Sequence, residues 1–359
     1  MSNSPRCCTP SCTVVVCTRE RPDSLNACLQ ALSALDYPCF EVLVVNNGRS
    51  NDATADIAAR WGAHYAVEHE VGLSRARNRG ARLCNTEVVA FLDDDAVPEP
   101  DWLTKLANEF RDPAVIVVTG RMIPLQEVTG LDGQSDALWA GSVPDRRVVD
   151  RSTPAWFELA NFGGLGDGGS MAFRRAAFDV WPGFDERLGR GASLDASEEH
   201  YAFFCLLDRG YRAVFAPEAI GHHPSPRTPA DLRTRRLRDL TASTAYFTFL
   251  FVEQPRYRWR VLKYMLEAVR RKQRKWRGDA DSEPRHPMPL WRALRACMNG
   301  PLLYAKLRVF DSRRKDALAR RGAAVEPRSV LVSNVPPLSG TGHGAIGESQ
   351  LERPGLPAR

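Results

Sequence analysis

Hydrophobic and polar positions along the first third of the chain follow a repeated pattern. Four short apolar runs, rich in Val and bounded by turn-forming residues, are typical of strands buried on both faces of a parallel sheet. These predicted strands cover residues 13–17, 41–45, 88–92 and 114–118. Segments with helical spacing of apolar residues alternate with them, at 22–35, 53–61, 73–84 and 101–110. The alternation predicts right-handed βαβ units and an α/β fold with an open, doubly wound, mostly parallel sheet flanked by helices.

The rest of the chain has a different character. Residues 131–169 are punctuated by Gly and Pro and predict loops over the edge of the sheet. A helix at about 198–209 and a strand at about 212–215 follow, and long Arg-rich helices lie beyond His223. We expect a disordered start at 1–10, an α/β domain at 11–225, a basic helical extension at 226–325, and a Pro/Gly/Ser-rich disordered tail at 326–359.

The composition is that of a soluble globular enzyme, since 43% of the 359 residues are hydrophobic and can bury a large core. Nine cysteines without a regular framework favour a reducing compartment. No hydrophobic stretch stands near residue 1, so a secretory signal is not expected. The longest apolar run, 241–252, would span only ~18 Å as a helix, against ~30 Å for a bilayer core. These features predict a cytoplasmic protein, with peripheral attachment to the inner face of the membrane as an option.

Positive charge is concentrated in one segment. The formal net charge is +6, whereas residues 227–277 alone carry fifteen Lys and Arg against four Asp and Glu. This asymmetry indicates an acidic surface as a partner. The segment either lies on an anionic membrane surface or forms a helical subdomain with aromatic residues inward and arginines in solvent. Its aromatic residues are Tyr246, Phe247, Phe249, Phe251, Tyr257, Trp259, Tyr264 and Trp276.

Three carboxylates, Asp93, Asp94 and Asp95, directly follow the predicted strand at 88–92. Alternate side chains of an extended segment point the same way, so Asp93 and Asp95 can reach one cation while Asp94 turns toward the protein. Hard oxygen ligands favour Mg²⁺ or Mn²⁺ held jointly with substrate phosphates. Taken alone, the triplet also fits a turn and cap ahead of the next helix.

Polar residues stand at the ends of other predicted strands as well. Because ligands of open α/β sheets bind at the carboxyl ends of the strands, these side chains are expected to share one crevice with the acidic triplet. The loops open helices whose N-terminal amides favour anions. Arginines on a helix face are also common in plain solvent. The residues predicted to contact a bound nucleotide are Thr18, Arg19, Arg21, Asn46, Asn47, Arg77, Asn78, Asp93 and Asp94.

A succession of ordered blocks carries a family resemblance. The blocks are VVVCTRERPDSL, EVLVVNNGRSNDAT, GLSRARNRG, VVAFLDDDAVPEPDWL, GGSMAFRR, GFDERLG and SEEHYAFFCLLDRGYRAVFAPEAIGHH. Over about residues 11–223 the chain resembles family 2 of the inverting glycosyltransferases, which have the GT-A fold. The resemblance implies transfer of a sugar from a nucleoside diphosphate of the UDP, GDP or dTDP type to a hydroxyl acceptor, which can be a glycan, a lipid-linked molecule or a small molecule.

The resemblance also implies roles for single residues. Thr18 and Arg19 match the loop beside the nucleotide base, and Asp93 and Asp95 match the metal-binding DXD motif. Glu198 and Glu199 match the acidic pair before the late helix, with Glu199 as the base that takes the acceptor proton, a role that typically contributes ~10²–10⁴-fold to the rate. His223, rather than His222, matches a His that completes the metal site.

Three positions depart from the family pattern. Asn46 replaces an Asp that accepts a bond from the base, and its amide carbonyl can still accept one. Glu199 replaces the commoner Asp and adds one methylene of reach. Ser170 replaces a frequent Asn, which puts the acceptor-side contacts in question.

The sequence also bears on three other functions. A processive synthase would carry a QxxRW motif, and Gln254 and Arg258 are one residue too far apart for it. A sugar-phosphate nucleotidyltransferase would share the sheet and the acidic ligands but requires a Gly-rich first loop, which residues 18–22 lack. A non-enzymatic module would bind membrane or nucleic acid through its basic segment, and nucleic acid is the less favoured partner.

Overall fold

The structure, a computed structural model, describes residues 9–48, 52–125, 144–166, 168–224, 228–278 and 289–321. The strands are β1 (Cys12–Thr18), β2 (Phe40–Asn47), β3 (His64–Glu68), β4 (Val88–Asp93), β5 (Val97–Pro98), β6 (Val115–Pro124), β7 (Arg147–Val149), β8 (Ser170–Arg174) and β9 (Arg212–His223). The helices are α1 (Pro22–Leu32), α2 (Asp52–Arg60), α3 (Leu73–Leu83), α4 (Trp102–Glu109), α5 (Trp156–Asn161), α6 (Ala177–Val180), α7 (Glu198–Asp208), α8 (Pro229–Glu253), α9 (Arg258–Gly278) and α10 (Leu290–Arg321).

In the described ranges these strands form one sheet in the order β3-β2-β1-β4-β8-β6-β9-β5, with β7 pairing to β9. The four strands β3, β2, β1 and β4 are parallel to one another, and β6 and β9 form a second parallel pair. β8 enters antiparallel between β4 and β6, and β5 and β7 pair antiparallel with β9. The predicted α/β class is confirmed, with parallel pairing concentrated in the first half of the sheet.

Helices cover both faces of the sheet, as the continuous apolar strands require. Along β1, Val14 and Val16 belong to one hydrophobic cluster and Val15 to the other, because successive side chains point to opposite faces. On the Val15 face α3 packs at close range through Gly80, where an added Cβ would lie 2.5 Å from Val15 Cγ1. A side chain at Gly80 would therefore push α3, which carries Arg77, away from the sheet.

The predicted strands and helices of the first 118 residues all form, with ends shifted by a few residues. Two strands run further than expected, since β6 continues to Pro124 and β9 to His223. The prediction of loops over 131–169 is wrong for the part that the structure describes, where β7 and α5 form. Both are short, and α5 is held by burial of Trp156 and Phe157 rather than by a long periodic pattern. β3 and β8 were not predicted.

The basic segment forms a helical layer on the sheet domain. The membrane interpretation of this segment rests on its aromatic side chains, and most of them point inward. Tyr246 and Phe249 are buried, and Tyr264 stacks on Phe162 with ring centroids 3.7 Å apart. For α8 and the start of α9, the structure therefore supports the helical-subdomain interpretation. Trp276 and the predicted tail at 326–359 lie outside the part that can be described at side-chain level. None of the described helices is long and apolar enough to cross a bilayer.

Candidate active site

The carboxyl ends of β4 and β9 bring the acidic triplet and a histidine together. β4 ends at Asp93, and β9 runs the length of the sheet to end at His223. One ligand atom each from Asp93, Asp95 and His223 lies within 4.8 Å of the others. The three side chains are neither fully buried nor fully exposed, so solvent and a substrate phosphate can reach them. The structure thus assembles the cluster that the sequence predicted as a metal site.

Asp94 lies on the opposite side of the chain from Asp93 and Asp95, as the alternation along an extended segment predicts. Its carboxylate accepts a hydrogen bond from Thr18 Oγ1 at 2.7 Å and pairs with Arg21 at 3.1 Å. It is buried, and it ties the end of β4 to the loop after β1. Thr18 and Asp94 were predicted to contact the nucleotide, and here they bind each other.

The orientation of His223 suits a metal ligand. Its Nδ1 donates to the carbonyl of Pro224 at 2.9 Å, because that carbonyl can only accept, and its Nε2 lies 3.1 Å from Asp95 Oδ1. An imidazole anchored through one nitrogen to a carbonyl presents the other nitrogen in a defined direction. His222, the alternative, pairs instead with Glu99 at 3.4 Å. The donor set of two carboxylates and one imidazole fits Mn²⁺ or Mg²⁺ completed by phosphate oxygens.

Negative charge is concentrated at this edge of the sheet. Burial raises the pKa of Asp93 although Arg77 opposes the shift, and burial raises the pKa of Asp94 against the hydrogen bond from Thr18. For Asp95, burial raises the pKa but the hydrogen bond and charge of His223 outweigh it, and the pKa falls below its usual range. The same hydrogen bond raises the pKa of His223 against burial. The cluster therefore favours a positive group at its centre.

Arg77 links the acidic cluster to the predicted catalytic pair. It projects from α3, is only 3% exposed, and pairs with Glu198 through Nη1. Its Nη2 donates to the carbonyl of Gly168 at 2.7 Å and lies 3.4 Å from Asp93 Oδ1. Burial lowers the pKa of Arg77, but the charges of Glu198 and Asp93 outweigh burial and raise it. The guanidinium is therefore a permanent, buried cation between the two acidic groups.

Glu198 and Glu199 open α7 but lie in different surroundings. Glu198 is buried beside Arg77, and burial together with the charge of Glu199 raises its pKa to about 7 against the opposing charge of Arg77. Glu199 is partly accessible, with 13% of its side chain exposed, and its Oε1 lies 3.4 Å from His200 Nδ1. Of the pair, Glu199 is the more accessible carboxylate.

Strained backbone precedes this pair. Ser197 adopts a left-handed conformation at φ 69°, and Asp195 has φ 40°. Both are costly for residues with a Cβ and mark a segment held by its surroundings. Gly189, at φ 95°, approaches so closely that an added Cβ would lie 2.9 Å from Ser74 Oγ and 3.1 Å from Glu198 Oε2. Sequence reasoning missed Gly189, although its place in the block GFDERLG was a usable signal.

Two asparagines that the sequence predicts as nucleotide contacts form hydrogen bonds with backbone groups. Asn47 donates to the carbonyl of Glu70 at 2.8 Å and accepts from the amide of Gly72 at 2.8 Å. Asn78 donates to the carbonyl of Phe184 at 2.9 Å and accepts from the amide of the same residue at 2.8 Å. These bonds fix the loop that enters α3 and the loop that approaches α7, so both side chains support the crevice from behind.

The remaining predicted residues line the open side. Arg21 is half exposed and pairs with Asp95 Oδ2 at 3.0 Å. Arg19 is exposed beside the end of β2, near Gly48. Asn46 is buried at the end of β2, where its Nδ2 donates to Tyr65 Oη at 3.0 Å. Ser170 is buried and accepts a hydrogen bond from Trp102 Nε1 at 2.8 Å, a structural contact between α4 and β8.

An open α/β sheet with an Asp-x-Asp cluster at the carboxyl end of a central strand defines the GT-A class of fold. Residues 13–181 match the family model described as Glycosyl transferase family 2. The chain belongs to this family. The matched region contains the acidic triplet and Arg77 but ends before Glu198, Glu199 and His223.

The relatives are named as glycosyltransferases. The pre-mycofactocin glycosyltransferase of Mycobacterium tuberculosis is 29% identical over 243 residues, which are 66% of this chain and 45% of the relative. The glucosyl-dolichyl phosphate glucuronosyltransferase of Haloferax volcanii is 32% identical over 232 residues, which are 59% of this chain and 68% of the relative. The chain thus spans about half the length of the first of these relatives and two thirds of the second.

Among solved structures, a mannosyltransferase from Pyrobaculum calidifontis, described as a complex with GDP-Man and Mn²⁺, aligns with a TM-score of 0.47 and 18% identity. The alignment covers 88% of this chain and 79% of that chain.

Proposed function

We propose that this chain is a non-processive, inverting glycosyltransferase that moves a sugar from a nucleoside-diphosphate sugar to a hydroxyl acceptor and depends on Mg²⁺ or Mn²⁺. The observation that carries the proposal is the convergence of Asp93, Asp95 and His223, whose ligand atoms lie within 4.8 Å of one another. Family membership supports the reaction class, since the relatives are named glycosyltransferases.

The three clustered side chains would hold the cation, which when bound neutralises charge that develops on a leaving diphosphate. Arg21 is half exposed and lies 3.0 Å from Asp95, so its guanidinium can reach the phosphates of the donor. Arg19 and Asn46, which lie at the ends of β1 and β2, are candidates for contact with the base. This assignment puts the donor on the side of the crevice formed by β1, β2 and β4.

Glu199 would act as the general base. The acceptor hydroxyl oxygen attacks the anomeric carbon on the face opposite the diphosphate, the bond from that carbon to the diphosphate oxygen breaks, and the hydroxyl proton passes to Glu199. Inversion follows from attack on the opposite face. Glu198 is excluded from this role because it is buried and paired with Arg77, so we assign it as a positioning residue.

The test separates donor binding from transfer. The protein is mixed with a panel of UDP-, GDP- and dTDP-sugars and Mn²⁺, and release of nucleoside diphosphate is measured with and without acceptors. The acceptor panel should contain a lipid-phosphate-linked sugar, because the name of the Haloferax relative contains such an acceptor. Asp93→Ala should abolish metal-dependent donor binding. Glu199→Gln should keep donor binding but lower the transfer rate by ~10²–10⁴-fold.

Asp179→Ala provides the matched control, because this carboxylate is exposed and pairs only with its helix neighbour Arg175 among the ion pairs described. It should keep both donor binding and transfer. Equal loss of donor binding in the Asp93 and Glu199 variants would contradict the assigned roles. Release of pyrophosphate from a nucleoside triphosphate plus a sugar phosphate would instead support the nucleotidyltransferase alternative.

A further inference from the structure

The outer face of α10 is an apolar stripe in water. Six large hydrophobic side chains on this helix are each between 51% and 67% exposed. The first four recur at intervals of three and four residues, and the last two continue the face two turns further on, which is the spacing of one helix face. They are Trp291, Leu294, Met298, Leu302, Val309 and Phe310. We call this set the α10 outer stripe.

The opposite face of α10 already has a partner. Ala296, Tyr304 and Leu307 are buried, and Gly300 lies against Thr244 and Ala245 of α8. Tyr304 Oη donates to Glu253 Oε1 at 2.8 Å, which anchors the helix to the end of α8. The orientation of α10 is thus set by packing on its inner face, and the α10 outer stripe points away from the protein core.

The charged residues interspersed with the stripe along residues 290–310 are all basic. Residues 290–310 contain four basic side chains and no Asp or Glu. Arg292, Arg295 and Lys306 are exposed, and the guanidinium of Arg292 lies 5.1 Å from the ring centroid of Trp291. Arg308 pairs with Glu253 at 3.3 Å. A surface of Trp, Phe, Leu and Met flanked by Arg292, Arg295 and Lys306 is complementary to an apolar layer covered by negative charge.

A second helix repeats the combination. On α9, Trp259 is 73% exposed, and Leu262 and Leu266 follow it at helical spacing. Lys263 stands between them, while Val261 on the inner face is fully buried. The aromatic side chains of α8, which the sequence indicated for this purpose, are packed inside instead.

We propose that the α10 outer stripe, with its flanking Arg292, Arg295 and Lys306, docks on the surface of an anionic lipid bilayer. Amphipathic helices with Trp, Phe and Leu on one face and Lys and Arg beside them bind in the headgroup region without crossing it. Each basic residue near an anionic surface contributes a comparable electrostatic increment. This role is independent of the glycosyltransferase proposal, because it concerns a different face and needs no donor.

The full chain is tested by co-sedimentation with phosphatidylcholine vesicles with and without phosphatidylglycerol, in the absence of nucleotide sugar. Binding should require the anionic lipid and should weaken between about 0.1 M and about 1 M NaCl, as the Debye length falls from about 10 Å to about 3 Å. The triple variant Arg292→Gln/Arg295→Gln/Lys306→Gln should bind about 100-fold more weakly, at about fivefold for each residue. Trp291→Ser/Leu294→Ser/Met298→Ser should lose at least about tenfold.

Control variants remove exposed side chains of the same two kinds, basic and apolar, elsewhere on the protein. Arg60→Gln/Arg82→Gln/Arg111→Gln removes three exposed arginines, and Val148→Ser/Val180→Ser removes two exposed apolar side chains. Both should bind like the parent, and circular dichroism should show all variants folded. Equal binding to neutral vesicles, or equal losses in stripe and control variants, would overturn the proposal. A concentration-dependent dimer that disappears in the Trp291 variant would likewise overturn it, in favour of a second copy of the chain.

Discussion

The two halves of the sheet reach the same crevice by different routes. In the half formed by β3, β2, β1 and β4, every pairing is parallel and most strands are followed by a helix, so strand ends deliver Thr18, Asn46 and Asp93 in chain order. In the half that contains β8, β6 and β9, antiparallel pairings intervene. That half delivers His223 from the end of a twelve-residue strand and Glu199 from the start of α7.

The difference shows how binding and reaction are divided in the proposed enzyme. Under the proposed function, residues of the first half would hold the donor, and residues of the second half would complete the metal site and take the acceptor proton. Arg77 connects the two halves, since it stands on a helix of the first half and contacts Glu198 and the carbonyl of Gly168 from the second. Variants at Arg77 and in the second half test whether donor binding and reaction are divided between the two halves in this way.

Replacing Arg77 by Leu should have the largest effect on folding. The change leaves Glu198 buried without its cation, and breaking a buried pair on one side costs about 3–5 kcal/mol. The free energy of unfolding, measured by urea denaturation, should fall by that amount. Arg75→Leu is the control on the same helix, because its pairs with Glu70 and Glu186 are surface pairs and should cost less than about 1 kcal/mol. Similar losses of stability in both variants would show that the buried Arg77–Glu198 pair contributes no more than a surface ion pair.

Replacing His223 by Ala tests whether the second half shares in metal binding. Loss of even an outer partner of a metal site lowers affinity by about 10–100-fold, so loss of a ligand should weaken Mn²⁺ binding by at least about 100-fold. Titration of Mn²⁺ in the presence of nucleoside diphosphate measures the effect. His222→Ala, one residue earlier and paired with Glu99, should bind Mn²⁺ like the parent. Equal affinities in the two variants would confine the metal site to the first half.

Replacing Glu198 by Gln should change how stability depends on pH. Because the pKa of Glu198 is raised from 4.5 to about 7, the native state holds this proton more tightly than the unfolded chain does. The associated stability is present below pH 4.5 and is lost as the pH rises toward about 7. The parent should therefore lose a few degrees more of Tm than Glu198→Gln across this interval. Parallel profiles would contradict the assignment of Glu198 as a buried, raised-pKa group.

Replacing Trp102 by Phe should have the smallest effect, on a contact between α4 and β8 within the second half. It removes the hydrogen bond to Ser170 and leaves a buried hydroxyl without that donor, at a cost of about 1–2 kcal/mol. Thermal unfolding of Trp102→Phe, Ser170→Ala and the double variant measures the coupling. If the losses of stability in the two single variants add up to the loss in the double variant, the hydrogen bond contributes nothing to stability. Unchanged donor binding in Ser170→Ala would show that Ser170 does not contact the donor.

The predictability of the fold follows the same division. Strands such as β1 and β4 are buried on both faces, so an uninterrupted apolar run identifies them without knowledge of their neighbours. β8 and β7 are short, and β3 is largely half buried, so their sequences carry little periodic signal. These strands form because they pair with neighbouring strands of the sheet, and the local sequence pattern gives little indication of such pairing.

Within the candidate site, spacing predicted the separation of Asp94 from Asp93 and Asp95, because alternation in an extended segment is a local property. The tasks of Asn47 and Asn78 were not predictable in this way. Both are amides at strand or helix positions near the crevice, yet their partners are backbone groups up to 106 residues away. Whether these amides contact a ligand or the backbone depends on the conformation of loops that are remote from them in the sequence.

The sequence by itself determined the α/β class, the acidic cluster at the end of β4 and the presence of a basic helical extension, since each rests on local periodicity or on charge along the chain. Only the tertiary structure decided that Thr18 and Asp94 bind each other, that Arg77 stands between Asp93 and Glu198, and that the exposed apolar stripe lies on α10 rather than on α8. These are distances between side chains remote in sequence, and they are set by packing of the two halves around a common core.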